Sequence, residues 1–168
     1  MLVAEELDVA WEHVSVTPMP LGIVRTADGF AWKYGGQGAG GSTGVTRNWQ
    51  FMREVGAKAR LVLQQAAAQI WQIDVDNTRC RSGQVLNLEN QQRFKYSELI
   101  KVAAQLPIPQ SSPKLKPVKD FKLIGKSTAT VDAANIVNGS ARYGIDTQIS
   151  GALVAVVARC PFLDGKLK

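Results

Sequence analysis

A glycine-rich stretch that runs directly into a long helical pattern is the feature that most constrains this chain. Residues 34–44 read YGGQGAGGSTG, with glycine as the commonest residue. Because glycine has no Cβ, this backbone can adopt positive φ angles and approach a ligand closely. Ser42 and Thr43 stand where a helix N-cap belongs, next to first-turn amides that lack partners, and such a helix end suits a phosphate. Glycine-rich loops also precede helices that bind nothing, so the motif alone leaves both interpretations open.

The segment after the loop carries the longest periodic pattern in the chain. Apolar or small residues recur at three- and four-residue steps from Trp49 to Ile70, which predicts a helix over residues 43–71. A second apolar row that includes Phe51 and Val55 predicts cover on more than one side. Small residues such as Gly56 indicate that another element packs closely against this helix.

Four large side chains of this helix carry alternative interpretations. Trp49 and Trp71 lie on the apolar stripe, which favours a role as core anchors over stacking on a cofactor. Arg47 and Arg53 occur in the first turns, where they either reach a bound phosphate or form ordinary salt-bridged surface charges. Both interpretations of the arginines remain open from the sequence.

The rest of the chain predicts short elements and one linker. Residues 2–7 have helical spacing, residues 14–19 alternate like a short strand, and residues 21–33 indicate a loop that packs. Three short strands are expected over residues 78–81, 84–88 and 93–96, with a break at Ser82-Gly83, followed by a helix from Ser97 that stops before Pro107. Residues 107–117 are rich in proline and predict an extended linker. Residues 152–158 are apolar and β-branched, which is typical of a buried strand that needs neighbours on both sides.

Composition excludes several classes of protein. The chain has 168 residues, 45% hydrophobic and 20% charged, which argues against disorder. No apolar run is long enough to cross a bilayer, and the acidic N-terminal residues differ from a signal peptide, so no direct membrane insertion is predicted. The net charge of +6 is spread along the chain, with a mild concentration between Lys114 and Lys126, and does not predict nucleic-acid binding.

The residues most often used in metal sites and nucleophilic catalysis are scarce. Cys80 and Cys160 are far apart in sequence and fit no metal-binding spacing, and His13 is the single histidine. Every Ser-His-Asp or Cys-His set would need the same histidine. We therefore assign neither catalytic nor metal-ligating residues to this chain.

Several segments, taken in order, resemble one enzyme family. They are MLVAEELD at residues 1–8, YGGQGAGGS at 34–42, the helix from Trp49 to Trp71, DFKLIGK at 120–126, GSARYGID at 139–146 and ARCP at 158–161. Together they are similar to the large subunit of molybdenum hydroxylases of the isoquinoline 1-oxidoreductase β-subunit type, within the wider xanthine oxidase and aldehyde oxidase family. The resemblance covers essentially the whole chain.

This resemblance implies an α+β fold and a division into parts. Residues 1–106 look like part of a molybdopterin-binding domain with a long central helix and short strands. Residues 107–120 form the linker, and residues 121–168 look like the start of an α/β hammerhead domain. Met1 matches an internal position of the family pattern, so the chain is expected to be a fragment of a longer subunit, inactive by itself, with the catalytic glutamate farther along.

The resemblance also implies a chemistry, a cofactor and partners. Members of the family oxidise an N-heteroaromatic or aldehyde carbon with oxygen from water, at molybdenum held by a pterin that in bacteria is extended to molybdopterin cytosine dinucleotide. The residues expected to contact the cofactor are Gln37, Gly38, Ala39, Gly40, Gly41, Ser42 and Thr43. The expected partners are the remainder of the large subunit, a 2Fe-2S small subunit and a cytochrome c subunit. Twin-arginine export of relatives implies a periplasmic or periplasm-facing parent protein.

Departures from the family pattern weaken one expectation. Thr130, Ala134 and Ile136 stand where relatives often carry arginine, proline and lysine, which puts any subunit contact of that loop in doubt. Two other functions remain as alternatives: a stand-alone phosphate- or nucleotide-binding module, and an assembly module without catalysis.

Overall fold

The computed structural model describes residues 1–17, 19–20, 22–36, 38, 40–111, 113–163 and 165, and combines helices with antiparallel sheets. The mixed α and β composition predicted from the sequence is therefore confirmed. Two compact units are present, Met1–Val131 and Asp132–Lys168. The elements in chain order are α1 (Leu2–Leu7), β1 (Ile23–Thr26), β2 (Gly29–Trp32), α2 (Gly44–Trp71), β3 (Thr78–Arg81), β4 (Gln84–Asn87), β5 (Arg93–Lys95), α3 (Tyr96–Ala103) and α4 (Ala133–Val137).

Helix α2 confirms the main prediction from the sequence, including its start after the glycine-rich stretch and its end at Trp71. Gln72 follows in the left-handed region, with φ of 57°, and its amide bonds to the Ala68 carbonyl. The expectation of cover over a second apolar row holds only in part, because Phe51 and Val55 are 61% and 41% exposed whereas Leu61 and Val62 are half-buried. Only the face that includes Gly56, Ala57 and residues 66–68 is buried.

A three-stranded antiparallel sheet in the order β3-β4-β5 packs against α2. Ser82 and Gly83 both have positive φ angles, which is the conformation of a tight two-residue hairpin between β3 and β4. Helix α3 follows β5 directly, and the Glu98 carboxylate accepts a bond from the Lys95 amide at its start. These elements confirm the three predicted strands and the helix that ends before Pro107.

The core of the first unit lies between α2, the sheet and α3. Trp71 stacks on Phe94 with ring centroids 4.8 Å apart, so the prediction that Trp71 anchors the core is confirmed. The remaining members of the core are Leu63, Ala66, Ala67, Cys80, Val85, Tyr96, Leu99, Val102, Ala103 and Leu106.

Three local predictions were wrong. Residues 14–17 and 19 form no strand, and Pro18 lies outside the described residues. The segment expected to be a packed loop forms the β1-β2 hairpin, and all residues of both strands are exposed. Residues 152–158 form no strand and are exposed, with Leu153 and Val154 at 95% and 96%. A buried strand requires hydrogen-bonding neighbours, and none pairs with this segment within the described residues.

The second unit contains α4 and a short 3₁₀ helix at Gly144–Asp146. In the first unit, the segment predicted to be a linker forms no helix or strand at residues 113–117, and its backbone makes hydrogen bonds with side chains of α1 and α2. The assignment of residue ranges to a molybdopterin-binding domain and a hammerhead domain stays a prediction. No helix in the described part of the chain has the length and hydropathy needed to span a membrane.

Helix α1 packs closely on α2 at Gly56. A Cβ at this position would lie 2.7 Å from the Val3 carbonyl oxygen and 2.9 Å from Glu6 Cβ, so only glycine permits the observed contact. The sequence signal for close packing at Gly56 is therefore explained by α1.

We predict that Gly56→Ala lowers the free energy of unfolding by about 1 to 3 kcal/mol, because α1 must move away from α2. Gly44→Ala in the same helix is the matched control, since a Cβ added there would meet no atom within 4 Å and alanine has the higher helix propensity. Urea unfolding measures both. An equal effect of the two changes would contradict close packing at Gly56.

Candidate functional site

The glycine-rich loop has a backbone that only small residues adopt readily. Gly35 and Gly41 have φ angles of 76° and 59°, and Ser42 lies in the left-handed region at 55°. Such consecutive left-handed residues turn the chain sharply before α2 begins. The predicted site residues Gly38, Gly40, Gly41, Ser42 and Thr43 are brought together at this turn, whereas Gln37 and Ala39 lie outside the described residues.

Thr43 occupies the N-cap position, as predicted, but its side chain does not cap the helix. The Thr43 hydroxyl instead donates to the Gly40 carbonyl at 2.8 Å. The first turn contains no acidic residue, and Arg47 lies within it. The Arg47 amide donates to the Thr43 carbonyl, whereas within the described residues the amides of residues 44–46 have no partner. These three amides are left for an external acceptor, and the partial positive charge of the helix end favours an anion.

The space around the loop is open. Cβ atoms added at Gly36, Gly38 and Gly40 would meet no atom within 4 Å, and one at Gly41 would meet only the Thr43 methyl at 3.9 Å. Packing within this chain therefore does not require glycine at these positions. Approach of a ligand to the backbone would require it.

Arg53 does not belong to this loop, contrary to its interpretation as a phosphate contact. It is buried, and its Nε donates to Glu6 Oε1 at 2.8 Å. Its guanidinium carbon lies 5.2 Å from the Trp49 ring centroid and 5.0 Å from that of Phe121. Trp49 thus packs on an arginine and on Phe121, which agrees with a structural role. Arg47 is exposed near the loop and remains a candidate phosphate contact.

Glu6, which sequence analysis did not single out, connects three segments of the chain. Its side chain is fully buried and pairs with Arg53 and Arg60 of α2. It also accepts a bond from the Lys116 amide at 3.0 Å. The sequence does carry a pattern that indicates burial of Glu6: it follows Val3 by three residues and therefore shares the face of α1 that packs on α2.

Glu5 holds the chain after the predicted linker. It accepts bonds from the amides of Lys122, Leu123 and Ile124, at 2.7 to 3.1 Å, and lies 3.4 Å from Lys116 Nζ. Burial by itself raises the pKa of Glu5, but these amides and the Lys116 ammonium outweigh burial and lower the pKa from its ordinary value of 4.5.

Asp8 completes this group of carboxylates. Its carboxylate lies 2.7 Å from Lys122 Nζ and 3.3 Å from Lys116 Nζ. Burial raises the pKa of Asp8, but the hydrogen bond from Lys122 and both ammonium charges lower it below 3.8 overall. The predicted concentration of lysines from Lys114 to Lys126 is thus partly neutralised by α1 and the residue that follows it.

Cys80 is unsuited to nucleophilic catalysis. Its side chain is buried in the core, and burial raises the pKa of the thiol to about 11. The thiolate, which is the reactive form, is therefore scarce near neutral pH. Cys160 is exposed and unpaired with Cys80.

A cavity of about 880 Å³ lies in the first unit, away from the glycine-rich loop. Its walls include residues 79–81 of the edge strand β3, Leu86 and Leu88, most residues from 114 to 122, and Arg60 and Gln64 of α2. The cavity is mainly cationic, although Asp8 and Asp120 also line it.

Comparison with known proteins supports the family resemblance. No family profile matches the chain. The chain is 29% identical to isoquinoline 1-oxidoreductase subunit beta of Brevundimonas diminuta, over an alignment of 194 positions that covers 95% of this chain and 24% of that protein. It is 24% identical to membrane-bound aldehyde dehydrogenase [pyrroloquinoline-quinone] of Gluconacetobacter polyoxogenes, over 90% of this chain and 19% of that protein. The chain thus spans about a quarter of the length of the relatives it matches, or less, and its similarity is to oxidoreductases.

We predict that the free energy of unfolding falls as pH drops below about 4.5, because Glu5 and Asp8 have lowered pKa values in the folded chain. The two carboxylates contribute their full stabilisation at pH values above their pKa in the unfolded chain. This stabilisation is lost as pH falls through their lower pKa values in the folded chain. Glu5→Gln should remove part of this pH dependence, and urea unfolding at pH 7 and pH 3 measures it. Glu12→Gln, at an exposed residue, is the control; a Glu5 variant with the unaltered pH profile would disprove the assignment.

Proposed function

We propose that residues 38–43 and the start of α2 form one wall of a cofactor site in a longer molybdenum hydroxylase subunit. The observation that carries the proposal is the uncapped N-terminus of α2, which follows consecutive left-handed residues and faces open space. Sequence similarity to an isoquinoline 1-oxidoreductase β subunit supports the class of enzyme.

The donor set fits the diphosphate of molybdopterin cytosine dinucleotide. Amides at a helix N-terminus bind phosphate oxygens well, and glycine at positions 38, 40 and 41 leaves room for the ligand beside the backbone. Arg47 adds a positive charge in the first turn. We propose Gln37 as a side-chain donor and Ala39 as a further backbone contact, on the basis of the sequence.

The cofactor supplies the redox chemistry, in which water provides the oxygen atom added to an N-heteroaromatic or aldehyde carbon. This chain would hold and orient the dinucleotide end of the cofactor. The buried pair of Glu6 and Arg53 holds α2 against α1, so the loop projects from the end of a packed helix. We assign no catalytic residue to this chain.

The wider setting follows from the same proposal. We infer that the parent subunit works with a 2Fe-2S subunit and a cytochrome c subunit, and that it is exported to the periplasm. The name of the second relative specifies pyrroloquinoline quinone, which carries carboxylates and no diphosphate. A helix N-terminus accepts either anion, so the identity of the retained cofactor needs a direct measurement.

We predict that Gly40→Val in the parent subunit reduces retained molybdenum and cytidine nucleotide by at least about tenfold, because the valine side chain occupies the space beside the loop backbone. Elemental analysis and chromatography of the released nucleotide measure the loss. A Cβ added at Gly40 would meet no atom within 4 Å, so the fold is expected to tolerate the change.

Gly144→Val is the matched control, because Gly144 is equally open but lies in the second unit. Unchanged molybdenum and nucleotide in the Gly40 variant would refute the loop assignment. If the parent subunit contains pyrroloquinoline quinone and the Gly40 variant loses it, the molybdopterin assignment would be refuted but the loop would still be a cofactor-binding element. Binding of free nucleotide or phosphate by a molybdenum-free protein would favour the stand-alone phosphate-binding module.

A further inference from the structure

The outer face of the β3-β4-β5 sheet carries a regular arrangement of positive charge. Cys80, Val85 and Phe94 are register partners and belong to the core, so the alternate residues of each strand point away from it. One outward row is Arg79, Leu86 and Arg93, and the other is Arg81, Gln84 and Lys95. We call the four cations of these two rows the basic face.

The basic face is exposed and is not neutralised by this chain. All four cationic residues are exposed, and the two outward positions of the central strand hold no acid. Within the described residues, Arg79, Arg81 and Arg93 form neither an ion pair nor a side-chain hydrogen bond. By contrast, Arg53, Arg60, Lys116 and Lys122 are paired with carboxylates of α1 or Asp8.

The spacing of the face follows from sheet geometry. Cations on β3 and β5 are separated by the central strand, which places their Cα atoms roughly 10 Å apart, and successive cations on one strand are about 7 Å apart. Arg79 and Arg81 also line the cavity, where the exposed Lys114 and Lys119 extend the positive surface. Of the nearby carboxylates, Asp8 is paired with Lys122, and Glu89 and Glu98 accept bonds from Asn77 and the Lys95 amide. Asp120 also lines the cavity, so cations outnumber acids there without excluding them.

Apolar groups lie inside this positive surface. Leu86 is half-buried between Arg79 and Arg93, and Leu88, which also lines the cavity, is 48% exposed. Apolar centres with a polar or charged rim are typical of protein interfaces. The aromatic residues of the sheet region, Phe94 and Tyr96, pack on the core, so the face offers no outward aromatic ring on which a nucleic-acid base could stack.

We propose that the basic face is a docking surface for an acidic segment of a partner polypeptide that presents an apolar side chain between carboxylates. The cations attract and orient the carboxylates, and Leu86 and Leu88 contact the apolar side chain. Charge complementarity of this kind sets specificity and association rate. The proposal does not depend on the cofactor site, because that site precedes the N-terminus of α2 whereas β3 follows its C-terminus.

The test uses the chain and a fluorescein-labelled synthetic peptide in which glutamate alternates with leucine and threonine, measured by fluorescence anisotropy. We expect salt-sensitive binding that is lost when glutamine replaces the glutamates. Arg79→Glu/Arg93→Glu should weaken binding by at least about tenfold, because like charges then oppose the peptide. Arg79→Gln/Arg93→Gln gives a second measurement with a smaller loss.

Arg25→Glu/Arg142→Glu changes the net charge by the same amount at exposed residues elsewhere and should leave binding nearly unchanged. Leu86→Thr should weaken binding of the peptide but not binding of inorganic polyphosphate. An equal loss in the Arg25/Arg142 control would overturn the proposal by showing attraction to net charge alone. Tighter binding of an oligothymidine of equal charge would overturn the proposal and indicate a nucleic-acid surface. Unaltered peptide binding by the Leu86 variant would also overturn it and indicate a purely ionic site.

Discussion

The structure of the first unit depends on a buried carboxylate, that of Glu6. A carboxylate removed from water is costly unless other groups replace its hydration, and here Arg53, Arg60 and the Lys116 amide do so. Those partners come from α2 and from residues far along the chain, so α1, α2 and the extended segment must adopt one mutual arrangement. Glu5 strengthens this arrangement by accepting hydrogen bonds from the three consecutive amides of residues 122–124. Together the two carboxylates hold the proline-rich segment, at Lys116, and the residues that follow it, 122–124, against α1.

This arrangement matters for the glycine-rich loop at the beginning of α2. Arg53 lies in the third turn of the helix, where Glu6, Trp49 and Phe121 hold its guanidinium. These contacts hold the N-terminal part of α2, from which the loop extends. A binding loop on a rigid element loses less freedom when it takes up a ligand. Side chains without any role in binding can in this way affect the affinity of the site.

Local patterns were the best guide to this fold. The three- and four-residue periodicity of α2, the Ser82-Gly83 turn and the stop before Pro107 each act within a few residues, so the sequence predicted them correctly. The predicted strand at residues 152–158 was wrong, because a strand depends on hydrogen-bonding neighbours, which no local pattern reveals. The helical spacing placed Glu6 on the face of Val3, but the partners of Glu5 and Glu6 could not be predicted, since they are more than 45 residues away in the sequence. Within the candidate site, the sequence predicted the N-cap position of Thr43 but not that its hydroxyl would turn back to Gly40.

The long reach of Glu6 has a consequence for the order in which the chain folds. Its bond to the Lys116 amide joins residues 110 positions apart, whereas α2, the sheet and α3 follow one another along the chain. Even the bond of Glu6 to Arg53 of α2 joins residues 47 positions apart, and closing a loop of that length costs about 3 kcal/mol of chain entropy before any contact repays it. Contacts of such high sequence separation form slowly compared with helices and tight hairpins. The segment that leads the sequence is therefore expected to be among the last to reach its native place, docking on a helix and sheet that have already assembled.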